Sequence, residues 1–255
     1  MDLQKDKAQA QLSLERIYPK QLNNQEKSDQ QVLEIHLQRY QFSARQLRGK
    51  YILDIACGCG YGTALMARSH PDKQFVGVDI DPLAVQYARE HYQADNLRYE
   101  CGNGMDFTLP ITGSDKLRSF DTIISLETIE HVPQPQKMVT HLLTQLNDQG
   151  VMIASVPTTP TVDGNPHHLH DFTVSSFYRL FAASNYHALE TFEQIQQWEF
   201  KGLFSKKQSQ ENRSQGVARN VIKHYIKKPS ALFFRVYAIL TKGLNNRYLT
   251  TVFAK

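Results

Sequence analysis

A nine-residue turn constrains this chain more than any other feature. Residues 54–62 read Asp-Ile-Ala-Cys-Gly-Cys-Gly-Tyr-Gly, overlapping the end of the apolar run YILDIA (51–56) and leading into TALMARSH. A short apolar run of this kind suits a strand buried on both faces. Glycines let the backbone turn sharply and approach a ligand without side-chain interference. The helix start that follows offers N–H groups with no partner inside the helix. A strand, a glycine turn and a helix in that order predict an open α/β sheet that binds a ligand at the carboxyl ends of its strands.

The downstream sequence repeats the alternation. FVGVDI (75–80) predicts a second buried strand, and Asp81-Pro82 starts a helix through DPLAVQYAREHYQ with a capping side chain and a proline at the first position. LRYECGN (97–103) and FDTIISLE (120–127) predict strands three and four. Pro133 to Leu146 carries Met138, Val139, Leu142, Leu143 and Leu146 on one helical face. Asn147 to Gly150 is expected to turn, and VMIASVP (151–157) to form strand five. Alternation of this kind implies a parallel sheet covered by helices on both faces.

Beyond residue 157 the pattern changes. Thr158 to Phe172 predicts a loop, Thr173 to Ser184 a helix, HALETFEQI (187–195) a strand and YLTTVFAK (248–255) a final strand. At the other end, Val32, Leu33, Ile35, Leu37, Tyr40 and Phe42 fall near helical spacing, with Gly49 closing the segment. The expected organisation is a helical arm (1–48) and one domain (49–255) with an insertion (199–246) before the last strand. A chain of 255 residues is long enough for one such core.

Composition narrows the classes. The net charge of +4 does not by itself demand nucleic acid or an anionic surface. The first twenty residues contain no apolar core of a secretory signal, and no run is apolar enough to span a membrane. Cys57, Cys59 and Cys101 have no framework spacing, which favours a reducing, cytoplasmic setting over a disulfide scaffold. One residue between Cys57 and Cys59 is too few for a usual zinc pair, so loop packing is expected there.

Three details separate the glycine turn from that of a dinucleotide-binding dehydrogenase. Its spacing is G-x-G-x-G, not G-x-G-x-x-G. Asp54 lies inside the first strand, where it would repel a pyrophosphate and suit a cofactor with a cationic amino-acid end. Asp79 ends the next strand, placed to accept from both hydroxyls of a ribose. LDIACGCGYGT, VGVDIDPLAVQYA, CGNGMDF, FDTIISLETIEHV and GVMIASVP together resemble the motifs of class I S-adenosylmethionine-dependent methyltransferases. The resemblance covers roughly residues 30–195. It implies a Rossmann-like, mostly parallel sheet of seven strands with the last antiparallel. It also implies that Gly58, Gly60 and Gly62 cradle the methionine part, Asp79 holds the ribose and Ile80 packs on adenine. Gly104, Met105 and Leu126 belong to the same cofactor set. Asn103 stands where relatives usually carry Asp, and its amide oxygen can still accept from the adenine amino group.

An acceptor site is expected at Ser125-Leu-Glu127-Thr-Ile-Glu130-His131-Val. On a helical turn Glu127, Glu130 and His131 share a face. Two carboxylates and an imidazole suit Mg²⁺ or Mn²⁺, and leave Zn²⁺ open. The loop Asn165-Pro-His167-His168-Leu-His170-Asp171-Phe172 offers a fourth ligand. The E-x-x-E-H turn with a downstream histidine resembles the small-RNA 2′-O-methyltransferases and the ubiquinone-pathway O-methyltransferases, and that match falls on His168 rather than His167 or His170. A metal-free acid/base role, or a purely structural one, stays open for Glu130, His131 and the histidine loop.

The leader LERIYPK…HLQRYQFSARQLRGK resembles that of bacterial methyltransferases found with polysaccharide and glycolipid biosynthesis. His36, Arg39 and Tyr40 share a helical face, and the Arg39 guanidinium suits the cofactor carboxylate. Lys201, Lys206, Lys207, Arg213, Arg219, Lys223, Lys227 and Lys228 precede the apolar run 231–240. That segment is expected to be a solvated insertion, with a cap over the acceptor or a patch for anionic glycolipid or nucleic acid as other readings. The expected activity is O-methylation of a small molecule or glycan, assisted by Mg²⁺ or Mn²⁺, with Glu127, Glu130, His131 and His168 activating the acceptor. An RNA-end 2′-O-methyltransferase, a metal-independent N- or C-methyltransferase and a non-catalytic binding protein are the alternatives.

Overall fold

The computed structural model describes residues 18–19, 27–110, 119–160, 165, 167–197, 225, 229–243 and 245–255. The elements, in chain order, are α1 (Lys27–Arg45), β1 (Tyr51–Ile55), α2 (Tyr61–Ser69), β2 (Gln74–Asp79), α3 (Pro82–His91), β3 (Leu97–Cys101) and β4 (Phe120–Leu126). A 3₁₀ turn (Ile129–His131) leads to α4 (Pro135–Leu143), β5 (Leu146–Pro157), α5 (Val174–Ala182), β6 (His187–Gln197), α6 (Pro229–Lys242) and β7 (Asn245–Ala254).

The strands form one mixed sheet in the order β3-β2-β1-β4-β5-β7-β6. β1 pairs in parallel with β2 and β4, and β2 with β3. Two neighbours in the sheet but not in sequence, β1 and β4, create the order reversal at which open α/β sheets bind ligands. Thr158, just past the end of β5, donates to the Arg247 carbonyl near the start of β7 at 2.7 Å. β7 therefore runs back along β5, antiparallel as the family resemblance implies.

The chain divides into two compact units, with the division passing through β5. The first holds residues 1–126, 141–153 and 254; the second holds 127–140, 154–253 and 255. In the first, β1 and β2 are almost wholly buried, consistent with their mainly apolar sequences. Cys57 and Cys59 pack with Ala64, Val85, Ala88, Tyr92 and Tyr99, so both thiols serve the core as small apolar groups. All three cysteines are free. Asp81 caps α3 by accepting from the Leu83 N–H at 2.9 Å, with Pro82 at its first position.

One expected turn is a strand instead. Asn147 to Gly150 belongs to β5, which starts at Leu146. The polar run is held by its neighbours: the Phe120 N–H donates to the Gln145 carbonyl at 2.8 Å, and the Asn147 amide donates to Asp121 Oδ1 at 2.6 Å. Pairing of this kind supplies what an Asn-Asp-Gln-Gly stretch lacks in strand propensity. The basic residues expected to form the insertion, from 201 to 224 and 226 to 228, lie outside the described residues.

The second unit has its own aromatic centre. Thr173 and Ser176 form a reciprocal capping box at the start of α5, which turns Phe177 and Phe181 inward with no exposed surface. Phe253 of β7 stacks on Phe181 at a centroid separation of 3.6 Å and meets Phe177 and Tyr178 edge-on. Truncation of Phe253 to Ala removes all three contacts and leaves a cavity. A loss of about 3–5 kcal/mol in urea-unfolding stability is expected, whereas an exposed control such as Leu189→Ala changes it little.

Candidate active site

The cofactor turn is built around a buried carboxylate. Asp54, on β1, is 1% exposed, and its Oδ2 accepts from the Thr63 hydroxyl of α2 at 2.5 Å. A second hydrogen bond comes from Tyr40 of α1. Burial pushes the Asp54 carboxyl up to about 7; the Thr63 and Tyr40 hydrogen bonds oppose the rise, and the nearby Asp79 charge adds to it.

Gly62 is glycine because of Tyr40. A Cβ at that position would lie 2.0 Å from the Tyr40 ring, so the arm helix can dock on α2 only over a bare backbone. Gly58 has a different reason: its φ of +58° is in the left-handed region, and no atom lies within 4 Å of where a side chain would begin. That open side is a cradle a ligand can enter. Gly60, also left-handed, precedes the first residue of α2.

Asp79 ends β2 with both oxygens engaged on one side. Oδ2 accepts from the Gly58 N–H at 2.8 Å and Oδ1 from the Asp81 N–H at 2.9 Å. Asp79 is the residue expected to hold the ribose hydroxyls, and a carboxylate oxygen can accept more than one hydrogen bond. Beside it Ile80 is 63% exposed, an apolar side chain in the open at the rim of the turn. Asn103 Oδ1 accepts from the Met105 N–H at 3.0 Å, which orders the bend containing Gly104 and leaves the amide able to bond an incoming ring. Leu126, half-buried, is the last residue of β4. Arg39 is buried on α1 rather than solvated, and its cation, after burial itself, keeps the His36 imidazole neutral, down to about 3. The open Gly58 cradle, the exposed Ile80 and the carboxylates of Asp54 and Asp79 fit S-adenosylmethionine.

In the second unit a histidine loop is stapled to the 3₁₀ turn. The Glu130 carbonyl accepts from the backbone N–H groups of Leu169 (2.9 Å) and His170 (3.3 Å). His170 Nε2 is spent on the Val132 carbonyl at 3.0 Å, and His167 is exposed with its N–H on Asn165 Oδ1. His168 is the member of the loop that reaches Glu130 and His131: one ligand atom from each of the three lies within 4.8 Å of the others. Glu130 is fully buried, and the His131 and His168 rings meet edge-on at 4.6 Å. His131 Nδ1 lies 3.2 Å from the His167 carbonyl. A carbonyl can only accept, so Nδ1 is the donor there, and Nε2 lies 3.9 Å from Glu130 Oε1. Burial and the two neighbouring histidines lower the His168 imidazole to about 4, which keeps it neutral and able to ligate.

Glu127 does not join that trio. The Ser155 hydroxyl donates to Glu127 Oε1 at 2.7 Å, while the Glu127 N–H bonds both the Ser155 hydroxyl and carbonyl oxygens. This reciprocal pair holds Glu127 at φ 49°, a left-handed backbone rarely adopted by a residue with a side chain. Ser155 carried no signal in the sequence beyond its place in strand five. Tyr40 was visible as a helix-face residue but not as a partner of Asp54.

Fold and site together define a methyl-transferring enzyme of the Rossmann-like class. The sequence pattern of the methyltransferase domain family matches residues 47–215, well over half of the chain. The chain belongs to that family and is a class I S-adenosylmethionine-dependent methyltransferase. It is 25% identical over 158 residues to a protein of Mycolicibacterium smegmatis named as a probable S-adenosylmethionine-dependent methyltransferase, covering 60% of this chain and 58% of that one. It is 33% identical over 110 residues to the mitochondrial ubiquinone biosynthesis O-methyltransferase of Schizosaccharomyces pombe, covering 42% and 38%. The chain thus spans less than two thirds of either relative. Among solved structures the YcgJ protein of Bacillus subtilis aligns with a TM-score of 0.59 at 16% identity, over 85% of this chain and 95% of that one, a likeness of fold.

The raised Asp54 carboxyl makes a stability prediction. Between pH 3.8 and about 7 the folded acid keeps a proton that the unfolded one releases, so its contribution is fully present below 3.8 and is lost as pH rises through about 7. Asp54→Asn has no such proton. Urea midpoints of the cofactor-free protein should therefore show wild type losing stability relative to Asp54→Asn across that window; a parallel pair of profiles would contradict the buried, proton-holding acid.

Proposed function

We propose that this methyltransferase methylates a hydroxyl oxygen of a small-molecule or glycan acceptor, with Mg²⁺ or Mn²⁺ held by Glu130, His131 and His168. The observation that carries the reading is the convergence of one carboxylate and two imidazoles within 4.8 Å. A mixed O/N donor set of this kind suits a borderline-hard divalent ion and leaves coordination positions for the oxygens of a vicinal diol. Such an ion acts as a Lewis acid that lowers the pKa of a bound hydroxyl.

The chain's own groups supply the rest. The Glu130 carbonyl, by accepting from Leu169 and His170, fixes the loop that presents His168. The His167 carbonyl fixes the His131 tautomer so that Nε2 faces inward. Glu127, turned to Ser155, is available as an acceptor for a hydroxyl proton rather than as a ligand. On the cofactor side Asp54 and Asp79 provide the negative surroundings that a cationic amino-acid end needs, and Ile80 an apolar face for the base. The name of the S. pombe relative, an O-methyltransferase, supports oxygen as the methylated atom.

One observation favours a second reading. His168, neutral near physiological pH and in contact with His131, could take the acceptor proton with no metal. A calorimetric titration of Mn²⁺ into protein preloaded with S-adenosylhomocysteine separates the two. Saturable, near one-to-one binding that disappears in Glu130→Ala and in His168→Ala is the expected outcome. Heat that is absent, or unchanged in both variants, would overturn the metal reading and leave the histidine pair as the acid/base candidate.

A further inference from the structure

α6 is turned the wrong way for a helix that serves a core. Phe233, Val236, Tyr237 and Leu240 recur at the i, i+3, i+4, i+7 spacing of an apolar face, and that face is 74%, 46%, 57% and 80% exposed in turn. Leu232, Phe234 and Ile239 widen it. The side that is covered holds Ala238, with Arg235 half-buried beside it. α5, in the same unit, buries Phe177 and Phe181 completely. A contiguous exposed apolar surface on such a helix marks an interaction site.

Charge says what the site meets. Residues 212–255 contain nine Lys and Arg and no Asp or Glu, so a chain whose overall charge is +4 carries −5 over residues 1–211. Lys223, Lys227 and Lys228 immediately precede α6 in sequence, and Lys242 and Arg247 follow the apolar face. Aromatic and aliphatic side chains set between basic residues suit the boundary between the acyl chains and headgroups of an anionic bilayer. With 14 residues, α6 is too short to cross such a bilayer, and among the described residues no helix is long and apolar enough to do so. The helix is of the kind that lies in the interface.

We propose that α6 is an interfacial helix that seats this protein on a membrane surface carrying anionic phospholipid. The apolar face enters the headgroup boundary, and anionic headgroups offset the excess of basic charge that the sequence carries from residue 212 to 255. The surface is a property of the second unit and does not depend on the identity of the methyl acceptor.

Vesicle flotation of the full chain tests it, with phosphatidylcholine vesicles and with phosphatidylcholine–phosphatidylglycerol vesicles. The wild type should float with the mixed vesicles, and high salt should weaken the association. Phe233→Ser with Leu240→Ser removes apolar surface without adding charge, and should lower partitioning by about tenfold or more while S-adenosylhomocysteine binding and the far-ultraviolet spectrum stay unchanged. Failure to float with the mixed vesicles, equal flotation of the double variant, or equal binding to uncharged vesicles would each overturn the proposal. So would a concentration-dependent dimer that the double variant disperses in the absence of vesicle binding, which would assign the face to a second copy of the chain.

Discussion

The first unit depends on one buried acid. The Asp54 carboxyl sits inside a parallel sheet and receives hydrogen bonds from two helices, through Thr63 of α2 and Tyr40 of α1. An ionised carboxylate in such a place costs several kcal/mol of lost hydration, which hydrogen bonds offset only in part. The acid therefore rests near the balance between its neutral and charged forms at neutral pH. A ligand that brings a positive charge tips that balance, and one that brings phosphates does not.

A different device orders the second unit. Backbone and side-chain groups together join the 3₁₀ turn to the histidine loop: the Glu130 carbonyl takes two N–H groups, the His167 carbonyl accepts from the His131 ring and the Val132 carbonyl from the His170 ring. Backbone bonds of this kind survive most substitutions of the residues that make them, so the positions of the two imidazoles are insulated from much of the loop's sequence. Glu127 is the exception. Its left-handed conformation is tied to a side chain, that of Ser155, and the strain is held by three hydrogen bonds to one residue.

Much of this was legible in the sequence because it is periodic or punctuated. Buried strands 51–55 and 74–79 are short, mainly apolar runs, Asp81-Pro82 is a helix start in two letters, and the G-x-G-x-G turn announces its strand and helix. What stayed hidden was pairing. Asn147 to Gly150 has the composition of a turn and becomes strand because Asp121 and Phe120 lie across from it. The E-x-x-E-H spacing suggested three ligands on one turn; the group within 4.8 Å comprises Glu130, His131 and His168, while Glu127 Oε1 accepts from the Ser155 hydroxyl, a partner the spacing does not show. Likewise 231–240 was visible as apolar, but whether such a run faces in or out is decided by its neighbours.

The contact between Tyr40 and Gly62 has a consequence for how this chain can change. A ring lies where a methyl group would otherwise stand, so the two positions behave as a single locus written in two places, twenty-two residues apart. Gly62 tolerates a side chain only after Tyr40 has shrunk, and a smaller residue at 40 also withdraws a hydrogen bond from Asp54. Drift at either site alone leads downhill, and the paths that lead elsewhere pass through a weakened acid. An arm borrowed from a relative would have to bring its own matching partner in the turn, which makes the boundary near residue 48 a poor place to cut and splice.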